Sequence, residues 1–314
     1  MYAQKSICLY SFLILLFVNL VGCATKPMDT SEQLSLTTAR YGHAVVNDGN
    51  KIYVIAGANQ SGFLSDIEII DPSTNKINVL ANKVIPRRYF SAVWDGKHSI
   101  YILGGVSLKN KKFRYEKRVE VFDTRTNAVS FAKPMPLPTR INSAVLMNER
   151  IFVLGGAYPK NGKLTASALV GVFDIKNDSW MRAANMPSAK TTKAFVKGNF
   201  VYVVGGYDSV SSLDVFERFD PITNQWLTLP PLPVKISAHS ISLIENKLFI
   251  FGDYNNLTST YRYDFDANKW EKIDIDYKAS RHNATTTLGE STYVIGGNTG
   301  TKGPFLNYIQ VFKL

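Results

Sequence analysis

Five cations recur at one kind of place in this chain. Arg40, Arg88, Arg140, Lys190 and Arg281 each stand just ahead of a run of small and β-branched residues, as in R40-YGHAVV, R88-YFSAVW, R140-INSAVL, K190-TTKAFV and R281-HNATTT. A guanidinium grips a carboxylate or phosphate through paired hydrogen bonds, and an ammonium does so as a point charge. Gathered at one rim, these groups make an anion-binding mouth; each bonded to its own loop carbonyls, they are scaffold. Other chemistry is scarce. His43, His98, His239 and His282 show no metal-ligand spacing. There is no nucleophile elbow and no phosphate-cradling loop, so neither a metal nor a cofactor is expected. The candidate acid–base residue is Asp253, which replaces Gly at the start of a loop, with Tyr207 and Asp208 at the matching place one unit earlier.

The elements that must position these groups repeat. The runs I52-YVIAG57, I100-YILGG105, I151-FVLGG156, V201-YVVGG206, L248-FIFGD253 and T292-YVIGG297 are apolar, strand-like and end in a small pair. Their pairs begin at 56, 104, 155, 205, 252 and 296, a period near fifty. Such a period built from strands signals a repeat architecture. A third segment ends in Asp, as in Ile69-Ile70-Asp71, Val121-Phe122-Asp123, Val172-Phe173-Asp174, Arg218-Phe219-Asp220 and Arg262-Tyr263-Asp264. A fourth follows a turn such as D220-PITN224 and often carries Trp. Pro presets φ there and Asn tolerates the left-handed conformation, so these turn residues are structural. Four strands per unit make a propeller blade.

Taken together, the small pair, the aromatic before Asp and the Trp six residues after it resemble the Kelch repeat, over roughly residues 34–314. The marks of the WD40 repeat are missing. The resemblance implies an all-β, six-bladed propeller. The glycine pair is expected to expose backbone on which Trp180, Trp226 and Trp270 pack. The chain stops after a third strand, Y308-IQVFKL314, and S31-EQLSLTT38 has no unit of its own. That segment is expected to complete the last blade as its outer strand, with Leu34 and Leu36 paired near Gln310–Phe312, and so to close the ring. The longest loop on the face of the five cations, Leu108–Arg118, sets Lys109, Lys111, Lys112, Arg114, Lys117 and Arg118 against Glu116 alone, with Phe113 and Tyr115 between them.

Residues 1–22 read as a secretory leader: Lys5, a short apolar stretch, then Leu20-Val21-Gly22-Cys23, which resembles a bacterial lipobox. Cys23 is then the lipidated residue, 23–33 a tether, and the expected location the cell envelope, on the outer membrane facing the periplasm. Cleavage there removes Cys8 and leaves no free thiol, which excludes the Tyr–Cys cofactor of galactose oxidase, another Kelch-type propeller. The formal charge of +11 favours acidic partners. A monomeric binding module for an envelope protein, an acidic glycan or a lipid headgroup is expected, and nucleic acid is not. The alternative is a sugar mutarotase: the periplasmic Kelch epimerases of N-acetylneuraminate share the compartment, blade number and basic pocket, and mutarotation needs only an acid and a base.

Overall fold

The computed structural model describes residues 34–314. The leader, the tether and Cys23 lie outside them. Antiparallel sheets follow one another around a channel, and each blade runs outward in sequence order. The first blade has strands Ala44–Asn47, Ile52–Asn59, Gly62–Asp71 and Lys76–Leu80. Four more blades repeat this meander, and the sixth has three named strands, Ala284–Leu288, Ser291–Ile295 and Ile309–Lys313. The innermost strand of each blade touches the innermost strand of the next, and Ala284–Leu288 touches Ala44–Asn47.

Apolar faces on both sides of each sheet require a partner on both sides, and the stacking supplies it. One buried cluster lies between each neighbouring pair of blades. Tyr53, Ile55, Ile67 and Ile69 of the first blade meet Phe90, Ile100, Ile102 and Phe122 of the second. Between the sixth and the first, Tyr293, Ile295 and Ile309 meet Ile52, Val54 and Ile70, with Leu36 among them.

The turn before the outer strand behaves as its chemistry dictates. Asn75, Asn127, Asp178, Asn224 and Asn268 all have positive φ. Asp220 Oδ1 accepts the N–H of Ile222, and Asp264 those of Asp266 and Ala267. Some turn residues also reach the preceding blade: Lys133 N–H donates to Asp178 (2.8 Å) and Ala184 N–H to Asn224 (2.8 Å). The indoles answer these bonds. Trp180 donates to the Lys133 carbonyl, Trp226 to that of Ala184 and Trp270 to that of Pro230. The expectation that these rings cover the glycine pairs is therefore corrected. Each Trp leans on the aromatic of its own third strand, as Trp226 does on Phe219 at 5.0 Å, and pins its blade to the one before.

The glycine pairs do another job. A Cβ on Gly206 (φ +124) would stand 1.8 Å from the Thr191 carbonyl oxygen, and one on Gly155 2.2 Å from that of Lys190. The backbone opening a blade passes where those side chains would be.

Residues 34–38 do join the last blade, but more briefly and at another register than expected. Ser35 forms a single antiparallel bridge with Tyr308, and Leu36 N–H donates to the Asn307 carbonyl at 2.8 Å. From Ser35 the antiparallel chain runs toward Asn307 and Leu306, away from Gln310–Phe312, and Glu68 then takes it over: the backbone N–H groups of Thr37 and Thr38 both donate to its carboxylate. Leu36 is 2% exposed. Leu36→Ala should cost about 2–5 kcal/mol, the usual range for an emptied core leucine site, read as a lower denaturant midpoint. An unchanged midpoint would mean that this segment does not hold the sixth blade to the first.

Candidate functional site

Residues in the left-handed region align the blades. Gly42, Tyr89, Ile141, Ala238 and His282 have φ from 51° to 61° where each chain turns into its innermost strand. Two positions earlier stand Arg40, Arg87, Thr139, Ile236 and Ser280. Lys190 belongs with them, because its carbonyl accepts the N–H of Gly156 just as that of Thr139 accepts the N–H of Gly105. The five cations of the sequence pattern therefore divide between two registers.

The first register is internal to the blades. Arg40 and Lys190 are fully buried. Arg40 is ion-paired with Asp66 (2.7 Å) and Glu68, and donates to the Ala56 carbonyl at 2.9 Å. Lys190 meets Glu217 at 2.9 Å and bonds both oxygens of Ser188. Arg87, which the sequence pattern passed over for its neighbour Arg88, is as buried and is paired with Glu120. Their glutamates lie three residues before the Asp that ends the third strand. At that place the blades without a cation carry Gly171, Tyr261 and Gln310. A buried charge needs a partner, and the repeat supplies one only where a cation calls for it. Arg40 and Lys190 are scaffold, not mouth.

The second register faces the mouth. It brings together Arg88, Arg140 and Arg281. Arg88 lies over the rings of Tyr41, Phe63 and Tyr89 and hydrogen-bonds the Tyr41 hydroxyl. Arg281 lies 3.9 Å from the Tyr254 ring centroid and donates to that residue's carbonyl. Arg140 sits over Tyr89, and among the described residues its guanidinium makes no hydrogen bond and no ion pair. All three bear on one place: His282 has its pKa pushed down to about 3, first by burial and then by the charges of Arg281, Lys193, Arg88 and Arg140. Above His282 opens a cavity of about 690 Å³ lined by Tyr89, Arg140, Tyr207, Val210, Lys235 and Tyr254 among others, with no carboxylate in its wall. Tyr89, Tyr254 and Lys235 carried no repeat signature; Tyr89 reaches the cavity from a left-handed turn that its residue type does not announce, and Tyr254 and Lys235 from irregular loops.

The remaining candidates are spoken for. Asp253 is 5% exposed; one carboxylate oxygen accepts Ser237 N–H at 2.9 Å, the other the N–H groups of Asn255 and Asn256. Asp208 likewise accepts Val210 and Ser211 N–H, bonds that hold its pKa down. Both carboxylates shape loops, and neither lines the cavity. His43 and His239 stand not at the mouth but between blades, in the space left by Gly296 and Gly205 of the preceding ones. The basic segment Leu108–Arg118 is a hairpin of Val106–Lys109 and Lys112–Tyr115, with Arg87–Arg88 paired alongside. Its one acid, Glu116, is taken by Arg118 at 2.7 Å.

A family model described as the KLHDC2/KLHL20/DRC7 Kelch-repeats domain matches residues 42–253. The chain is a Kelch-repeat protein. It is similar to Kelch-like protein 25 of Xenopus tropicalis, 27% identical over 219 residues, covering 66% of this chain and 35% of that protein. It is also similar to Kelch-like protein 38 of Homo sapiens, 27% identical over 171 residues (52% and 29%), and to beta-scruin of Limulus polyphemus, 27% identical over 259 residues (76% and 28%). The chain thus matches about a third of the length of these relatives. The Kelch repeat is a protein-interaction module, and in this one the mouth is the face with unspent charge.

The three buried histidines give the fold a pH dependence. His43, His239 and His282 are each held to about 3 against an ordinary 6.5, mainly by burial. With the folded value depressed, the unfolded chain binds the protons first. The stability is complete above about pH 6.5 and is lost as pH falls toward 3, by at most about 1.4 kcal/mol per pH unit for each histidine. Glu120, pushed up by burial, works in the opposite sense near its own range. His43→Asn, the residue that Asn142 and Asn283 supply at the same place in other blades, should flatten the fall in unfolding midpoint between pH 6.5 and 4.5. An equally steep fall in the variant would remove His43 from the account.

Proposed function

We propose that this Kelch propeller is a binding module that takes an acidic segment of a partner protein into the mouth cavity, with Arg140 as its principal contact. The observation that carries this reading is Arg140 itself: a guanidinium on a cavity wall that holds no carboxylate, with no hydrogen bond or ion pair of its own among the described residues. Arg88 and Arg281 are oriented by one oxygen each and add their charge beside His282 in the cavity wall. The exposed Tyr207 and Tyr254, at about 40%, and Val210, at 85%, add apolar area at the rim. Acid in an apolar frame suits a folded or extended polypeptide carrying carboxylates better than a fully hydroxylated sugar.

On this reading the module works in the bacterial cell envelope. What supports the location is Leu20-Val21-Gly22-Cys23, with Cys23 acylated and the propeller held at a membrane surface by its tether; stable anchoring by acyl chains takes more than one of them.

The experiment compares a glutamate-rich peptide with its Glu→Gln counterpart by fluorescence anisotropy in low salt. The acidic peptide alone should bind. Arg140→Ala should weaken it about 10- to 100-fold, the effect of about 1.5–3 kcal/mol for a charge-assisted bond, with no loss of melting temperature. Equal binding of both peptides, or an Arg140→Ala variant that binds as wild type, would overturn the reading. Binding of sialic or uronic acids in place of the peptide would move it to an acidic glycan.

A further inference from the structure

Below the mouth the channel is built in rings, one residue from each blade. The upper space is lined by His43, Phe90, Asn142, Thr192, His239 and Asn283, the next by Ala44, Ser91, Ser143, Lys193, Ser240 and Ala284. The pairing shows that the second set is one position in the repeat. These residues lie opposite Ile55, Leu103, Leu154, Val204, Phe251 and Ile295, each of them immediately before the small pair. Five blades place Ala or Ser there and the fourth places Lys. The fourth blade is also irregular at that point: its opening segment is one residue shorter, and the strand register shifts between Thr191 and Lys193.

Lys193 is thus a single ammonium set into a narrow, otherwise neutral tube. Among the described residues its side chain makes no hydrogen bond and no ion pair. No carboxylate lines either space it borders. Burial alone draws its pKa down to about 8, and the histidines nearby are held neutral. The buried lysine of the same blade, Lys190, has Glu217; Lys193 has nothing. The side chain is only part-buried and keeps some water, but an ammonium in so confined a space still gains from a partner. Flanking it in the ring, Ser143 and Ser240 bring hydroxyls to the same space. Ser143 Oγ already accepts the Ala194 N–H, so its own proton is free to donate, and Ser240, a residue 2% exposed, has an Oγ with no partner. The set is one cation and two O–H donors around a cavity of about 160 Å³, room for a small ion with some water.

We propose that Lys193 holds a small monovalent anion, a halide or a single carboxylate or nitrate group, in the central channel, at a site separate from the mouth. The anion neutralises the ammonium, accepts from the serine hydroxyls, and fixes the fourth blade at its irregular opening.

The test uses the full chain in sodium gluconate, a bulky anion, with bromide, nitrate or formate replacing gluconate at constant ionic strength. The wild-type melting temperature should rise saturably with each small anion. Lys193→Ser and Lys193→Ala, which install the residues of the other blades, should melt above wild type in gluconate and lose the response. Arg140→Ala should keep it. Crystals soaked in bromide should show an anomalous peak beside Lys193 Nζ. A wild type that does not respond, variants that respond as wild type, or variants that melt below it in gluconate would each overturn the proposal. Loss of the response in Arg140→Ala would place the anion at the mouth and overturn it as well. Failure of the acidic peptide to bind leaves this site untouched, because neither Arg140 nor the mouth takes part in it.

Discussion

Where one blade ends its second strand, the backbone opening the next blade runs against it closely enough to hydrogen-bond. Gly105 N–H donates to Thr139, Gly156 to Lys190, Gly206 to Ile236 and Gly297 to Arg40, at 2.8 to 3.0 Å. A side chain on the glycine before each of these would crowd the approaching carbonyl, as on Gly104 against Thr139, Gly155 against Lys190, Gly205 against Ile236 and Gly296 against Arg40. This contact sets the distance between sheets, and so the packing of the clusters between them. It also sets the direction of the residues that follow. The residue supplying the carbonyl points into the blade, the next points to the mouth, and the residues opening the innermost strand line the channel. Scaffold, mouth and channel therefore follow one another within a few residues, and a misreading by one position moves a cation from one role to another.

That is what separates the legible from the illegible here. The glycine pairs, the terminal Asp of the third strand and the Asn of the turn recur because backbone geometry demands them in every blade, and the six-bladed architecture followed from their spacing. The cations do not recur for one reason. Arg40 and Lys190 answer Glu68 and Glu217, while Arg88, Arg140 and Arg281 answer nothing in their own blades. Aligned on the nearest basic residue, the two kinds merge. Aligned on the left-handed residue before the strand, they separate, and Arg87 takes the place given to Arg88. Side-chain direction depends on φ, and φ was not readable at Tyr89 or Ile141, whose residue types give no warning of a left-handed backbone.

Asp253 illustrates the complementary error. A carboxylate where the repeat has Gly looks like chemistry, but the N–H groups around it had no other acceptor. Once the loop beginning Tyr254-Asn255-Asn256 turns back over the fifth blade, its amides converge on one point, and the carboxylate satisfies them. Lys193 is the converse case, a charge whose surroundings make no provision for it.

The seams between blades are unequal, and this bears on how the ring breathes. Indoles pin the third blade to the second, the fourth to the third and the fifth to the fourth. Between the first two blades the same position is Val129, and the last seam has Ile77 there and relies on the bridge at Ser35, on Leu36 and on the grip of Glu68. Local opening takes the weakest cooperative boundary first. The ring has in effect a rigid arc through its middle blades and a clasp where its ends meet, so the wall of the mouth built by the third, fourth and fifth blades stays fixed while the opposite side can yield to a ligand wider than the resting opening.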